Sequence, residues 1–130
     1  MQGELHYGTW KINFDNLPKK KKAELERILD SKISNKTFSE IKKLKKEVHE
    51  NLPNIATRKS SELVLEKINI TTPETIGGSA DLTGSNNTLT PDLGIYSHEN
   101  PEGRYIYYGI REHGMAAVMN GLALHGGIIP

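Results

Sequence analysis

Hydrophobic positions along the 130-residue chain change their period several times, and each change predicts an element. Residues 1–16 keep no sustained period. Tyr7, Trp10, Ile12 and Phe14 alternate loosely with polar residues, which predicts an extended arm whose aromatics pack onto something else. Asn16-Leu17-Pro18 opens a helix, with a capping residue and then a proline early in the first turn, and Leu25, Ile28 and Leu29 give it an apolar stripe. Lys19 to Lys22 stand at the wrong end for the helix dipole, so the start of this helix is expected to fray. Thr37-Phe38-Ser39-Glu40 has the form of a capping box and predicts a second helix. Ile41, Leu44 and Val48 lie on one of its faces, Lys42, Lys43, Lys45 and Lys46 on the other, and Asn51-Leu52-Pro53 ends it. A third helix is predicted over 57–67, with Leu63, Val64 and the following Ile68 inward.

Beyond that point the texture changes. Thr75-Ile76-Gly77-Gly78-Ser79-Ala80 reads as a short strand ending in a glycine-rich turn. Residues 81–103 are rich in Asn, Thr, Pro, Gly and Ser, and loops of that length are usually functional or disordered. Tyr105-Ile106-Tyr107-Tyr108 is a second strand, broken by Gly109. A helix follows over 111–125, with Met115, Val118, Met119, Leu122 and Ala123 facing a core, and Gly126-Gly127 stops it. Ile128-Ile129-Pro130 has the character of a further strand. The order strand–loop–strand–helix–strand predicts an α/β fold with an incomplete sheet.

Composition narrows the chemistry. The chain has no cysteine, which excludes disulfides, thiolate metal sites and a cysteine nucleophile. Neither a signal pattern at the N-terminus nor an apolar run of membrane-spanning length occurs, so a soluble cytoplasmic protein is expected. The net charge of +1 is uneven: residues 1–60 carry 14 basic and 8 acidic residues, the remainder 3 and 8. The expected organisation is an arm and basic two-helix linker over 1–52, then an α/β unit over 53–130.

Four constellations could carry chemistry. Glu112, in Gly109-Ile110-Arg111-Glu112-His113-Gly114, is a carboxylate in the first turn of an apolar helix. The helix N-terminus favours its ionised form and burial would favour the neutral one, a balance suited to acid/base work. An acidic residue placed there only for helix stability is the commoner reading of the spacing. Gly77-Gly78-Ser79-Ala80-Asp81-Leu82, with Ser85-Asn86-Asn87 after it, could let a ligand approach the backbone, although composition alone favours an ordinary polar loop. Arg58-Lys59-Ser60-Ser61 could bind phosphate at a helix start, against the commoner reading of a solvated cap. The lysine-rich helices could hold nucleic acid. Interleaved Glu24, Glu26, Glu40, Glu47 and Glu50, and no aromatic platform beside the lysines, favour a solvated face instead. The five histidines form no metal pattern.

Taken in order, Ala56-Thr57-Arg58-Lys59-Ser60-Ser61, Gly77-Gly78-Ser79-Ala80-Asp81-Leu82, Ser85-Asn86, Tyr105 to Met115 and Asn120 to Gly127 resemble transketolase. The resemblance covers about residues 52–130. The first part is similar, more loosely, to the connection between the family's diphosphate-binding and pyrimidine-binding domains. It implies an incomplete thiamine diphosphate-binding domain of the pyrimidine type. The implied activity is transfer of a two-carbon ketol unit between ketose and aldose phosphates. By the same resemblance, Glu112 hydrogen-bonds the aminopyrimidine ring of thiamine diphosphate and promotes its active tautomer. Arg58 and Ser85 hold the substrate's phosphate, and Asp81 lines the cofactor cleft. The cofactor's divalent metal, magnesium or calcium in the family, has no ligands in this chain. A diphosphate-binding domain from a partner chain is therefore expected to be required, and the chain alone is expected to be inactive. Gly84 stands where proline is common in the family, which is expected to loosen that loop. Two alternatives accompany this reading: a subunit of a split thiamine enzyme, and a non-catalytic interaction module using the basic helices.

Overall fold

The computed structural model describes residues 2–130. Its first element is a helix, α1 (Gln2–Asp15), which corrects the expectation of an extended arm. Tyr7, Trp10 and Phe14 look like part of an alternation, but their spacing of three and four puts them on one helical face. There the rings stack in series, with centroids 6.0 and then 5.1 Å apart.

The second helix, α2 (Lys19–Leu29), follows Pro18 as its N-cap. Its lysine-rich start is not left facing the dipole alone, because Asp15 stands beside it and Lys22 Nζ lies 2.7 Å from Asp15 Oδ1. The third, α3 (Asn35–Asn51), begins two residues before the expected capping box, with Ser34 Oγ accepting from the Lys36 backbone N–H. Thr37 is therefore not a cap. It is buried, and its hydroxyl lies 2.9 Å from that of Thr72. Glu40 turns instead to Lys43. Leu52, with φ +42°, terminates the helix.

The next helix, α4 (Thr57–Thr71), packs on α3 and runs about one turn further than its hydrophobic period predicts. The strands β1 (Gly77–Ser79) and β2 (Tyr105–Tyr107) pair in parallel, with Gly77 opposite Tyr105. Single parallel bridges join Thr75 to Ile129 and Ile95 to Tyr105. Four parallel segments thus lie side by side, with β1 and β2 in the centre. Between the strands sits one turn of helix, α5 (Thr83–Asn86), and after them α6 (Glu112–His125). The parallel pairing across a helical connection is the α/β arrangement expected from the element order.

The core is small and partly polar. Leu44, Ala80, Leu93 and Tyr105 are its buried apolar side chains. Asn69 joins Thr90 and Thr75 through bonds of 2.9 and 3.0 Å. No buried side-chain nitrogen or oxygen among the described residues lacks a hydrogen-bond partner. Two arginines tie the elements together. Arg27 of α2 forms a forked pair with Glu74, at 2.7 and 3.1 Å, which fastens α2 to the turn before β1. Arg104 donates to carbonyls at the C-terminal end of α4 and in the turn beyond, including Asn69 O at 3.0 Å.

The last helix departs from expectation. Of the residues predicted to face a core, only Met115 and Leu122 are half-buried, while Val118, Met119 and Ala123 are exposed. A helix that is apolar nearly all round matches a site covered on several sides, and here one side is covered.

Candidate functional site

Four sequence-predicted residues sit at element ends. Arg58 is the second residue of α4, where the first turn leaves backbone N–H groups unpaired within the helix. Lys59 beside it is taken up by Glu62 at 2.8 Å. Arg58 is exposed and has no acidic partner among the described residues. The cluster expected at 58–61 therefore resolves into one engaged cation and one unengaged guanidinium.

Ser85 lies within α5, exposed at its surface. Its flanks are fixed although its own side chain is not. Ser79 Oγ accepts from the Leu82 backbone N–H at 3.1 Å, and Thr83 and Thr88 both meet the Tyr105 hydroxyl. Asn87, the left-handed residue that ends α5 at φ +54°, donates from Nδ2 to Glu62 Oε2 at 2.9 Å. Glu62 thus connects the start of α4, where Arg58 stands, to the turn that carries Ser85. The Glu62 carboxyl is held below its ordinary range, chiefly by the Lys59 ammonium and also by the Asn87 amide, with desolvation opposing.

Asp81 follows β1 and adopts φ +63°, a left-handed conformation that aspartate tolerates better than most residues. It is exposed at the end of the strand. The close approach of backbone expected at the paired glycines is real at Gly78. A Cβ there would come within 2.5 Å of the Tyr108 ring and 2.6 Å of Ile106 O. What approaches is the neighbouring strand and its tyrosine rather than open space. Burial raises the Tyr108 hydroxyl above its ordinary pKa.

Glu112 opens α6 just beyond Gly109, whose φ of +63° makes the turn between β2 and the helix. Arg111 folds back so that its Nη1 donates to Tyr108 O at 2.8 Å, and it does not reach Glu112. Glu112 is exposed and has no ion pair or side-chain hydrogen bond among the described residues. The burial half of the expected balance on this carboxyl is therefore absent.

The structure brings Arg58 and Ser85 into one tethered region through Glu62 and Asn87. Asp81 lies four residues before Ser85 in the same connection, and Glu112 is joined to that region through the β1–β2 pair. A cleft of about 340 Å³ beside the strands is lined by Leu65, Ile68, Leu93, Tyr108, Met115 and Met119, among others, and is largely apolar. Among the described residues no group of three or more His, Cys, Asp or Glu could hold a metal ion. No helix there is long and apolar enough to cross a membrane. The expectation that no aromatic platform accompanies the lysines is corrected. Phe14, at the end of the Tyr7–Trp10–Phe14 stack, meets one of them, with Lys22 Nζ 4.6 Å from its ring centroid. Sequence reading also missed Glu62 and the part that Asn87 and Tyr105 play in holding the turn. Their partners lie 17 to 25 positions away, beyond any local pattern.

Comparison with known proteins gives consistent results. Residues 53–130 match the family model described as the transketolase pyrimidine binding domain. The chain is 48% identical over 129 residues to the transketolase of Rhodobacter capsulatus, covering 99% of this chain and 19% of that protein. It is 46% identical over 124 residues to that of Sinorhizobium medicae, covering 94% of this chain and 17% of that one. Both alignments reach well into residues 1–52. Among solved structures, the Pichia stipitis transketolase complex with sedoheptulose 7-phosphate superposes with a TM-score of 0.74 at 37% identity, over 97% of this chain and 19% of that one. A mutant of that enzyme in complex with fructose 6-phosphate gives 0.76 at 35% identity, over the same shares. The chain spans about a fifth of the length of the relatives it matches.

Proposed function

The chain belongs to the transketolase family, and from that premise we propose that it forms the pyrimidine-facing and phosphate-facing part of an enzyme that transfers two-carbon ketol units between sugar phosphates. One observation carries the reading. Around the β1 and α4 ends, Lys59 pairs with Glu62, and Thr83 and Thr88 both meet the Tyr105 hydroxyl, whereas Arg58, Ser85, Asp81 and Glu112 are exposed and have no side-chain partner among the described residues.

In this reading Arg58 offers a charged fork to the phosphate of a ketose or aldose phosphate, and Ser85 adds a hydroxyl from the facing turn. Asp81 lines the cofactor cleft of the assembled enzyme. Glu112 accepts a hydrogen bond from the aminopyrimidine ring, for which an exposed, unpaired carboxylate in a first helical turn is suited. Thiamine diphosphate, when bound, supplies the electron sink for breaking and remaking a carbon–carbon bond beside the sugar carbonyl. The described residues do not fit the other end of that cofactor, because they offer no metal site for its diphosphate. Magnesium or calcium and the diphosphate belong to a diphosphate-binding domain on a partner chain. Residues 1–52 then act as the linker and 53–130 as the pyrimidine-binding unit, in a cytoplasmic enzyme.

The test is an amide NMR titration of the chain with fructose 6-phosphate and, separately, with fructose. Shifts at Arg58 and Ser85 that require the phosphate support the reading. Equal response to both sugars, or to neither, overturns it. With thiamine diphosphate and magnesium alone the chain is expected to show no ketol transfer, and measurable turnover would refute the need for a partner domain.

The aromatic stack beside Lys11 and Lys22 favours a second reading, a non-catalytic interaction module. It predicts salt-dependent quenching of Trp10 by an acidic polymer such as single-stranded DNA. Unchanged Trp10 fluorescence at low ionic strength removes it.

A further inference from the structure

We infer that Tyr105 is a positioning residue for the phosphate site: its buried hydroxyl clips both ends of the turn that carries Ser85. The inference rests on the reading of Arg58 and Ser85 as phosphate ligands. Tyr105 is fully buried on β2. Its hydroxyl lies 2.8 Å from Thr83 Oγ1, at the first residue of α5, and 2.7 Å from Thr88 Oγ1, just past its end. A phenol carries one hydrogen, so it donates at most one of these bonds and accepts the other. Both threonines can complete that arrangement.

The turn is held elsewhere too. Glu62 takes Asn87, and Asn69 takes Thr90. Between these anchors the exposed Ser85 and Asn86 side chains are left without partners in the described residues. One helical turn has little stability of its own. The placement of the turn is therefore imposed from outside it: Glu62 ties it to the first half of α4, Ser79 and Asn69 hold its flanks, and Tyr105 is the one side chain that grips both of its ends. Gly84 within the turn adds backbone freedom, which increases the need for a clip. Preorganising a ligand-binding turn raises affinity by lowering the ordering cost on binding.

The experiment uses the full 130-residue chain and its Tyr105→Phe variant. Inorganic phosphate is titrated while the Ser85 and Arg58 amides are followed by NMR, and hydrogen exchange is measured at the Asn86 and Asn87 amides. Those amides donate to Leu82 O and Thr83 O within the turn. The expected result is exchange at least tenfold faster at Asn86 and Asn87, exchange unchanged at Gly77, and phosphate binding weakened roughly three- to tenfold, the worth of one net hydrogen bond. Thr88→Val removes one partner while keeping the phenol and is expected to give a smaller shift in the same direction. It also decides the matter if the phenylalanine variant does not fold. Phosphate affinity unchanged in a folded variant overturns the clip alone. No phosphate response in the parent chain, or a response that Arg58→Ala leaves intact, overturns the phosphate site and the clip with it.

Discussion

Arg104 shows how a single residue can hold a junction without an acidic partner. Its guanidinium donates to the Asn69, Thr72, Pro73 and Thr75 carbonyls and to the Thr75 hydroxyl. Several of these acceptors lie where α4 ends and its last carbonyls have no partner within the helix. A positive charge there also suits the helix dipole. Arg104→Met is expected to lower stability by roughly 1.5–3 kcal/mol, the range for hydrogen bonds to a charged group. Arg104→Lys should recover only part of it, because an ammonium cannot span the same fork. The urea midpoints of the two variants check this. A residue of this kind is invisible in sequence: Arg104 sits in a polar loop and its acceptors, four carbonyls and one hydroxyl, lie 29 to 35 positions away. The position of Glu112 in the first turn of a helix was legible for the opposite reason, since the helix start and its glycine break are adjacent in the chain.

At the scale of elements, α2 and the turn before β1 meet at the Arg27–Glu74 pair, whose carboxylate side chain is only 5% exposed. Arg27→Ala would leave that carboxylate buried without its partner, at a cost of about 3 kcal/mol. Combining it with Glu74→Gln should recover a large part of the loss, and thermal unfolding of the single and double variants measures the difference. The α4–α5 tether has a pH signature. The lowered Glu62 pKa means that its contribution is fully present above the ordinary value of 4.5 and is lost as pH falls through the lower folded value. Carboxyl NMR should place the Glu62 midpoint below 4.5. The Asn87 side-chain amide should respond at the same midpoint. Replacing Asn87 with alanine should raise that midpoint but leave it depressed, since Lys59 is the larger cause.

For the whole molecule, a small core and a broad apolar surface set the behaviour. Ile110 and Leu124 are 80% and 89% exposed, and most of α6 is uncovered. Contiguous apolar surface of that kind drives association. Sedimentation is expected to show a mass that rises with concentration, and Leu124→Lys should reduce the rise while leaving the melting temperature nearly unchanged. A mass independent of concentration would mean that this surface is inert. The sequence by itself determined the α/β class, the placement of α2, α3, α4, α6 and both strands, and the motifs that carry the family resemblance. Each of these is local: a period, a cap, a glycine break or a run of adjacent residues. Residues 2–15 form a helix rather than an arm, in the three-and-four spacing of Tyr7, Trp10 and Phe14 that a loose alternation masks. Only the tertiary structure decided that Thr37 is a buried hydrogen-bonding residue rather than a cap. It alone decided that Glu62, Asn87 and Tyr105 tie Ser85 to the region of Arg58. Those outcomes depend on bonds and packing between distant positions, whose energies no local pattern encodes.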